Sequence, residues 1–362
     1  MVSATEFRLA VECCRWTFTG TGEEKIQQFF ASADWAKLLR IARFHRVQGL
    51  VWNALSKHAD RLPDGVRDAL SPAARAVAVN NLQAALASQQ LLDCFEAERV
   101  PLLFLKGQTL GALAYGNSAL KEAIDIDLLI DPVDLGKAAE LLRRCGYGLA
   151  TPRASGGDRI LHAWHRSWKE SVWTKPAPAL QIDLHTRVAD NWRLLPSISV
   201  HAPRQLVEIG GGIPLPTLAD DELFAYLAVH GASSAWFRLK WIADFAGLIS
   251  GKTSADIDRL YRRSQELDAG RASGQALLVA HALFGSLAGH SGLLEHLQNN
   301  PAILRLSRVA LSLLDRAPAE PTERFLGTLP IHLSQFAIRP GAAYKISQVR
   351  QHAHQFLTRV LL

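Results

Sequence analysis

The chain has 362 residues, of which 48% are hydrophobic and 20% are charged. This apolar fraction excludes a largely disordered polypeptide, and the length predicts about two folding units. Lysine and arginine outnumber the acidic residues by 40 to 34, and the net charge of +6 permits an anionic partner without naming one. No uninterrupted apolar stretch reaches membrane length, which argues against a spanning segment.

The cysteines and the first residues indicate a cytoplasmic protein. The start of the chain lacks the basic residues and the clean apolar run of a secretory signal. The four cysteines, Cys13, Cys14, Cys94 and Cys145, form no CxxC pair. Their spacing does not resemble a disulfide framework, so we expect reduced thiols.

Three segments are predicted in chain order. Residues 1–98 carry apolar side chains at helical spacing and are predicted to form an N-terminal helical segment. Residues 99–196 alternate short apolar runs with one amphipathic helix, which predicts a sheet-containing core. After a stretch rich in proline and glycine, residues 217–362 are predicted to form a C-terminal helical domain whose first helix begins at Thr217. The whole pattern predicts an α+β fold, with a mixed sheet flanked by helices.

The segment IDIDLLI, at 124–130, alternates as a half-buried strand does. Asp125 and Asp127 therefore project from one face and the apolar side chains from the other. Two neighbouring carboxylates repel each other unless a cation neutralises them, so the pair predicts a divalent metal site. A solvated edge strand would tolerate the same two charges, and the pair alone leaves both interpretations open.

A second alternating run, LQIDLHTRV at 180–188, places Asp183 and His185 on one face. A third carboxylate on a neighbouring strand would complete an acidic cluster of the kind that holds Mg²⁺ for phosphoryl chemistry. His185 would either contact the substrate or orient Asp183, and the sequence leaves both roles open.

A glycine junction precedes these strands. A strand predicted at 102–105 runs into Lys106 and Gly107, and a helix is predicted from Gln108. A glycine at such a junction lets a phosphate approach the free N–H groups of the helix start.

These motifs, in this order, resemble a bacterial family described as uncharacterised nucleotidyltransferases, within the polymerase β-like nucleotidyltransferase superfamily. The resemblance lies in LKGQTLGALAYG, DIDLLI, a helix ending in CGY, IDLH and the later ELFAYLAVHGASSAWFRLKWIADFAGLI. It implies a mixed sheet flanked by helices. It also implies transfer of a nucleoside monophosphate from an NTP, with ATP among the candidates, to a hydroxyl-bearing acceptor.

The resemblance also implies roles for individual residues. Asp125, Asp127 and Asp183 would be catalytic and would bind two Mg²⁺ ions, for which Mn²⁺ would substitute. Asp183 would in addition help to deprotonate the acceptor hydroxyl. The residues expected to contact the nucleotide are Lys106, Gly107, Gln108, Lys121 and His185.

Three residues depart from the family pattern. Gln108 stands where the superfamily often has serine or glycine, and Ile124 stands where a small or polar residue is usual. Lys121 replaces an arginine, so a point charge takes the place of a bidentate fork.

Three functions are compatible with these residues. Transfer to a small molecule, peptide or protein is favoured, and transfer to an RNA end is the alternative that the basic excess would allow. The third is a nucleotide-binding or partner-binding module without catalysis. The retention of three carboxylates argues against that module, because buried charges without a role are costly. No pattern indicates the oligomeric state.

Other groups of polar side chains have competing structural interpretations. His162 and His165 form an HxxH without a nearby cysteine, so a place on the sheet or its rim is favoured over zinc. Basic and tryptophan residues interleave over 153–175, as they do in single-strand nucleic-acid sites, but a hairpin whose tryptophans cover the core is favoured. For His230 and Asp244 a site role and a buried structural role stay equally open.

Overall fold

The computed structural model describes residues 5–153, 157–316 and 319–361. The first part of the chain is helical, as its apolar spacing predicts. The helices are α1 (Thr5–Thr19), α2 (Glu23–Gln27), α3 (Trp35–Phe44), α4 (Gln48–Leu55) and α5 (Asp64–Ala97). A 3₁₀ turn, Ser56–Arg61, links α4 to α5. The alanines and leucines of α5 are strong helix formers and support its 34-residue length.

A five-stranded mixed sheet follows. Its strands are β1 (Leu102–Phe104), β2 (Asp125–Ile130), β3 (Gly148–Thr151), β4 (Glu170–Pro176) and β5 (Ala179–His185). Their spatial order is β1-β2-β5-β4-β3, and in the described chain only β2 and β5 pair in parallel. The helices between them are α6 (Gln108–Tyr115), α7 (Leu135–Arg144) and α8 (Gly157–Ser167). The predicted α+β class and the mixed sheet are confirmed.

The two faces of the sheet have different chemistry. Ile126, Leu128 and Ile182 are buried in one apolar core together with side chains of α5 and α7. Because side chains alternate along a strand, Asp127 and Asp183 project from the opposite face. Apolar packing therefore fixes the sheet from one side and leaves the other side for polar residues.

The second half of the chain begins with a two-stranded sheet, β6 (Arg204–Glu208) and β7 (Pro214–Leu218). The prediction of a helix from Thr217 is wrong by a few residues, because Thr217 pairs within β7 and is buried. The helix begins at Asp220, where its acidic first turn favours the helix dipole.

Eight helices of the described chain follow β7. They are α9 (Asp220–Ser233), α10 (Leu239–Ile249), α11 (Ser254–Glu266), α12 (Gly270–Phe284), α13 (Ser291–Gln298), α14 (Pro301–Leu314), α15 (Leu329–Gln335) and α16 (Ala342–Leu361). Phe224 and Phe245 lie in the same core as Leu9 of α1, so these helices pack on the N-terminal ones. The division at 98 and 217 stays a prediction. Among the described helices, none combines the length and the apolar character that crossing a bilayer requires.

The segment that holds the tryptophans is only partly a hairpin. Residues 157–167 form α8, so the HxxH lies on a helix and its predicted place on the sheet is wrong. His162 is exposed, whereas His165 is buried and bonds Thr186 Oγ1 at 2.9 Å. Trp173, on β4, is fully buried, which confirms that a tryptophan of this segment covers the core.

Candidate active site

The parallel pair β2–β5 places two carboxylates side by side. Asp127 stands opposite Asp183 in the register, and His185 follows on β5. One ligand atom from each of the three side chains lies within 4.8 Å of the others, and all three residues are buried. Two carboxylate oxygens and an imidazole nitrogen form a donor set that suits a divalent cation.

Asp125 lies at the open side of this group. Its side chain is 27% exposed and its Oδ1 lies 3.7 Å from Lys106 Nζ. Within the described residues it is not a member of the tight three-residue group, which contains His185 instead. It nevertheless lines the same cavity as Asp127 and Asp183. The structure thus brings together all three acids that the sequence singled out.

Lys106 supplies the nearest positive charge. It follows β1, and its Nζ lies 2.5 Å from Asp127 Oδ2. Burial opposes the charged form of Lys106, but Asp125 and Asp127 raise its pKa well above the ordinary value. Burial likewise opposes ionisation of Asp127, yet Lys106 and His185 lower the pKa of this carboxyl. The ion pair is therefore charged at neutral pH.

Asp183 is crowded by negative charge. Burial, followed by the charges of Asp127, Asp125 and Glu170, raises the pKa of Asp183 to about 8. Its Oδ1 accepts a hydrogen bond of 2.9 Å from the side-chain amide of Gln181. Like charges in a buried site are relieved either by a proton or by a cation. The residues present therefore fit a divalent metal ion.

A second ion pair stands behind His185. The Nε2 atom of His185 lies 3.1 Å from Asp127 Oδ1 and 3.3 Å from Glu170 Oε2. The imidazole ring therefore bridges the two carboxylates. Lys169 Nζ donates to Glu170 Oε2. Although burial opposes it, Lys169 and then His185 lower the pKa of Glu170 to about 2. The sequence analysis did not assign Lys169 and Glu170 to the site. They could have been identified only by predicting that Glu170 pairs with His185 across β4 and β5.

The carboxylates line a cavity of about 210 Å³ between the sheet and the helices α9 and α10. Five basic and five acidic side chains line it. The basic residues are Arg46, Lys106, Lys121, Lys169 and Lys240, and the acidic residues are Asp125, Asp127, Glu170, Asp183 and Asp244. Such a balanced and confined set of charges can hold a polyanion together with a cation.

Helix α10 contributes a polar network to the cavity wall. Lys121 Nζ lies 3.5 Å from Asp244 Oδ2, and the Tyr115 hydroxyl donates to Asp244 Oδ1 at 2.8 Å. Burial, together with the charge of Lys121, lowers the pKa of Lys240 to about 7. Burial also lowers the pKa of His230 well below its ordinary value, so this ring is neutral. Both His230 and Asp244 line the cavity.

The glycine junction lies at the edge of the site. Gly107 is the N-cap of α6 with φ of 76°, a backbone conformation that glycine adopts without strain. Leu110, in the first turn of α6, lines the cavity. Gln108 is buried and its Nε2 donates to Asn81 Oδ1 at 3.1 Å. Gly107, Gln108 and His185 lie beside the cavity rather than in its lining, whereas Lys106 and Lys121 line it.

A comparison with family models gives one match. The model described as "Uncharacterised nucleotidyltransferase" matches residues 31–285. That range includes the five-stranded sheet and every residue that lines the cavity described above. No curated protein and no solved structure matches the chain.

Proposed function

Because the chain belongs to the uncharacterised nucleotidyltransferase family, we propose that it moves a nucleoside monophosphate from an NTP to a hydroxyl-bearing acceptor with Mg²⁺ as cofactor. The observation that carries this proposal is the register of β2 and β5, which sets Asp127 opposite Asp183 in a buried cavity. Membership of the family makes the protein a nucleotidyltransferase. The metal, the acceptor and the roles of individual residues are the parts that we propose.

Asp127 and Asp183 would hold Mg²⁺ or Mn²⁺, with Asp125 at the open side. When bound, the metal would neutralise charge on the phosphoryl oxygens and lower the pKa of the acceptor hydroxyl. Asp183 would take the proton of that hydroxyl. Crowding of Asp183 by Asp127, Asp125 and Glu170 supports this assignment, because a cation bound among these carboxylates would relieve their repulsion.

The basic side chains of the cavity would bind the triphosphate. Lys106 keeps Asp125 and Asp127 close to each other and presents a positive charge beside them. Lys121 and Lys240 stand across the cavity, on the side of α10. As point charges they attract phosphate without the geometric constraint of an arginine fork. This agrees with the lysine at 121 in place of the arginine that the family usually carries.

The cavity around Asp127 and Asp183 measures about 210 Å³, and this confinement favours a small acceptor over a folded RNA. We also place the reaction in the cytoplasm, since all four cysteines are free thiols, as is usual for proteins of a reducing compartment.

Label transfer tests the proposal. The purified chain is incubated with each α-³²P-labelled NTP, Mg²⁺ and a bacterial extract, and label is measured in metabolites, protein and RNA. Asp127→Asn and Asp183→Asn should each lower transfer by at least ~100-fold, as should EDTA. Asp68→Asn, at an exposed position of α5, is the matched control and should transfer label normally. Undiminished transfer by both site variants would refute the assignment.

A further inference from the structure

A second cavity, of about 710 Å³, lies at the starts of β2 and β5. Helices α3 and α5 form its walls, and we call it the α5 groove. Asp125 lines both the α5 groove and the catalytic cavity. The groove is lined by Leu39, Arg40, Arg43, Gln48, Ala69, Ala73, Ala76, Val77, Asn80, Ala84, residues 122–126 and residues 179–181.

The α5 groove and the catalytic cavity lie on opposite faces of β2. Ile124 and Ile126 line the groove, whereas Asp127 lines the catalytic cavity, as alternation along a strand requires. Asp125, at the start of the strand, stands between the two spaces. Because Asp125 lines both spaces, a ligand in the groove reaches the catalytic cavity past the start of β2. The lysine-lined cavity is then left for the triphosphate, and the groove holds the rest of the acceptor.

Arginines of α3 give the groove its charge. Arg40 and Arg43 are exposed on the groove wall, and Arg46, three residues further on, lines the catalytic cavity. Neither Arg40 nor Arg43 has an ion-pair or hydrogen-bond partner in the part of the chain that the structure describes. Glu122, a half-buried acid of the groove, interacts electrostatically with Lys240 and Arg46, which line the catalytic cavity. Two unpaired guanidinium groups present forks that match phosphate or carboxylate oxygens.

The rest of the groove is apolar. Small side chains of α5, among them Ala73 and Ala76, recur at helical spacing along one wall and leave room for a ligand. Ile124 is 49% exposed although it directly precedes Asp125. A large aliphatic side chain beside a catalytic acid gains free energy when a ligand removes it from water.

We propose that the α5 groove binds the acceptor, an amphipathic small molecule whose apolar part covers Ile124 and whose phosphate or carboxylate pairs with Arg40 and Arg43. This inference rests on the proposed function and names the acceptor class. The acceptor hydroxyl oxygen bonds to the α-phosphorus, the bond between that phosphorus and the bridging oxygen to the β-phosphate breaks, and pyrophosphate leaves. The hydroxyl proton passes to Asp183.

Two dyes of the same shape test the groove. 1-Anilinonaphthalene-8-sulfonate has an apolar body and one anion, and N-phenyl-1-naphthylamine has that body without the sulfonate. Arg40→Gln combined with Arg43→Gln should weaken the sulfonate dye about tenfold and leave the neutral dye unchanged. Ala76→Trp, which fills the groove, should weaken both dyes. Arg75→Gln, at an exposed α5 position outside the groove, should change neither.

Two further measurements separate the acceptor from the nucleotide. Equilibrium dialysis of labelled NTPs should give the same affinity for the groove variants as for the wild type. Label transfer to a low-molecular-mass ultrafiltrate of bacterial extract should fall at least tenfold in the same variants. Phosphatase treatment of the ultrafiltrate abolishes transfer if the anion is a phosphate monoester and spares it if the anion is a carboxylate.

The outcomes are distinct from those of the proposed function. Asp183→Asn should abolish transfer and keep dye binding. The inference would be overturned if every groove variant bound both dyes with wild-type affinity. A loss of NTP affinity in those variants, or label found in RNA or protein alone, would also overturn it. If the wild type transfers no label, the proposed function fails, and the dye titrations still decide whether the groove binds an amphipathic anion.

Discussion

Removal of the crowded carboxylate should stabilise the metal-free protein. In Asp183→Asn the side chain keeps its shape and can still accept the hydrogen bond from Gln181, but it no longer ionises. The pKa of Asp183 is raised from 3.8 to about 8, first by burial and then by Asp127, Asp125 and Glu170. The wild-type fold must therefore hold a proton on Asp183 at pH 7, which the unfolded chain has released.

The magnitude follows from linkage. Between pH 3.8 and about 8 the folded chain binds more protons than the unfolded chain, so the free energy of unfolding falls as pH rises through this window. A tenfold change in an ionisation constant is worth ~1.4 kcal/mol, and pH 7 lies about three pH units above the unfolded pKa. The penalty removed from Asp183 is therefore at most ~4 kcal/mol at pH 7 and close to zero near pH 4.

Urea unfolding in EDTA at pH 4.5 and at pH 7 measures this difference. We expect Asp183→Asn to exceed the wild type by roughly 2–4 kcal/mol at pH 7 and by little at pH 4.5. Added Mg²⁺ should stabilise the wild type more than the variant, because a ligand that binds only the fold adds to stability. Asp68→Asn is the exposed control. A variant that is less stable than the wild type at pH 7 in EDTA would refute the crowding argument.

Three further substitutions test neighbouring parts of the site by urea unfolding. Lys106→Met should cost about 3–5 kcal/mol in EDTA, because buried Asp127 loses its ion pair, and Mg²⁺ should restore part of the loss. Gly107→Ala should cost about 1–3 kcal/mol through its φ of 76°, whereas Gly65→Ala, where a Cβ meets nothing within 4 Å, should cost nothing. Burial lowers the pKa of Lys240 to about 7, so the free energy of unfolding of the wild type should rise with pH from 7 towards 10. Lys240→Met should remove that rise, and an unchanged pH dependence in this variant would contradict the lowered pKa of Lys240.

The carboxylates were predictable because their geometry is local. Alternation along a strand puts Asp125 and Asp127 on one face without knowledge of the rest of the fold. Asp183 could be predicted as the third carboxylate because a second alternating run places it on the polar face of its strand. Only the register between the strands, which sets Asp127 opposite Asp183, required the structure.

The ion pair behind His185 was not predictable in the same way. Residues 153–175 carry basic and aromatic side chains that suggest a hairpin, but Leu161, Trp164 and His165 are buried at helical spacing in α8. β4 begins after that helix, at Glu170, which pairs with His185. Strand periodicity was assigned to a segment that is helical, and the start of the next strand could not be predicted from it. The charged pair beside His185 was therefore missed.

The far wall of the cavity depends on tertiary packing alone. His230 and Asp244 lie in helices whose apolar periodicity is that of any buried helix, so the sequence assigns a core role and a site role equally well. What places them over the sheet is the core that Phe224 and Phe245 share with α1. The carboxylates of the site are thus encoded in short strand motifs. The residues that we propose for contact with the rest of the substrate, on α10 and in the α5 groove, come from helices that these motifs do not specify. Substitutions there should change which acceptor is used before they change whether nucleotidyl transfer occurs.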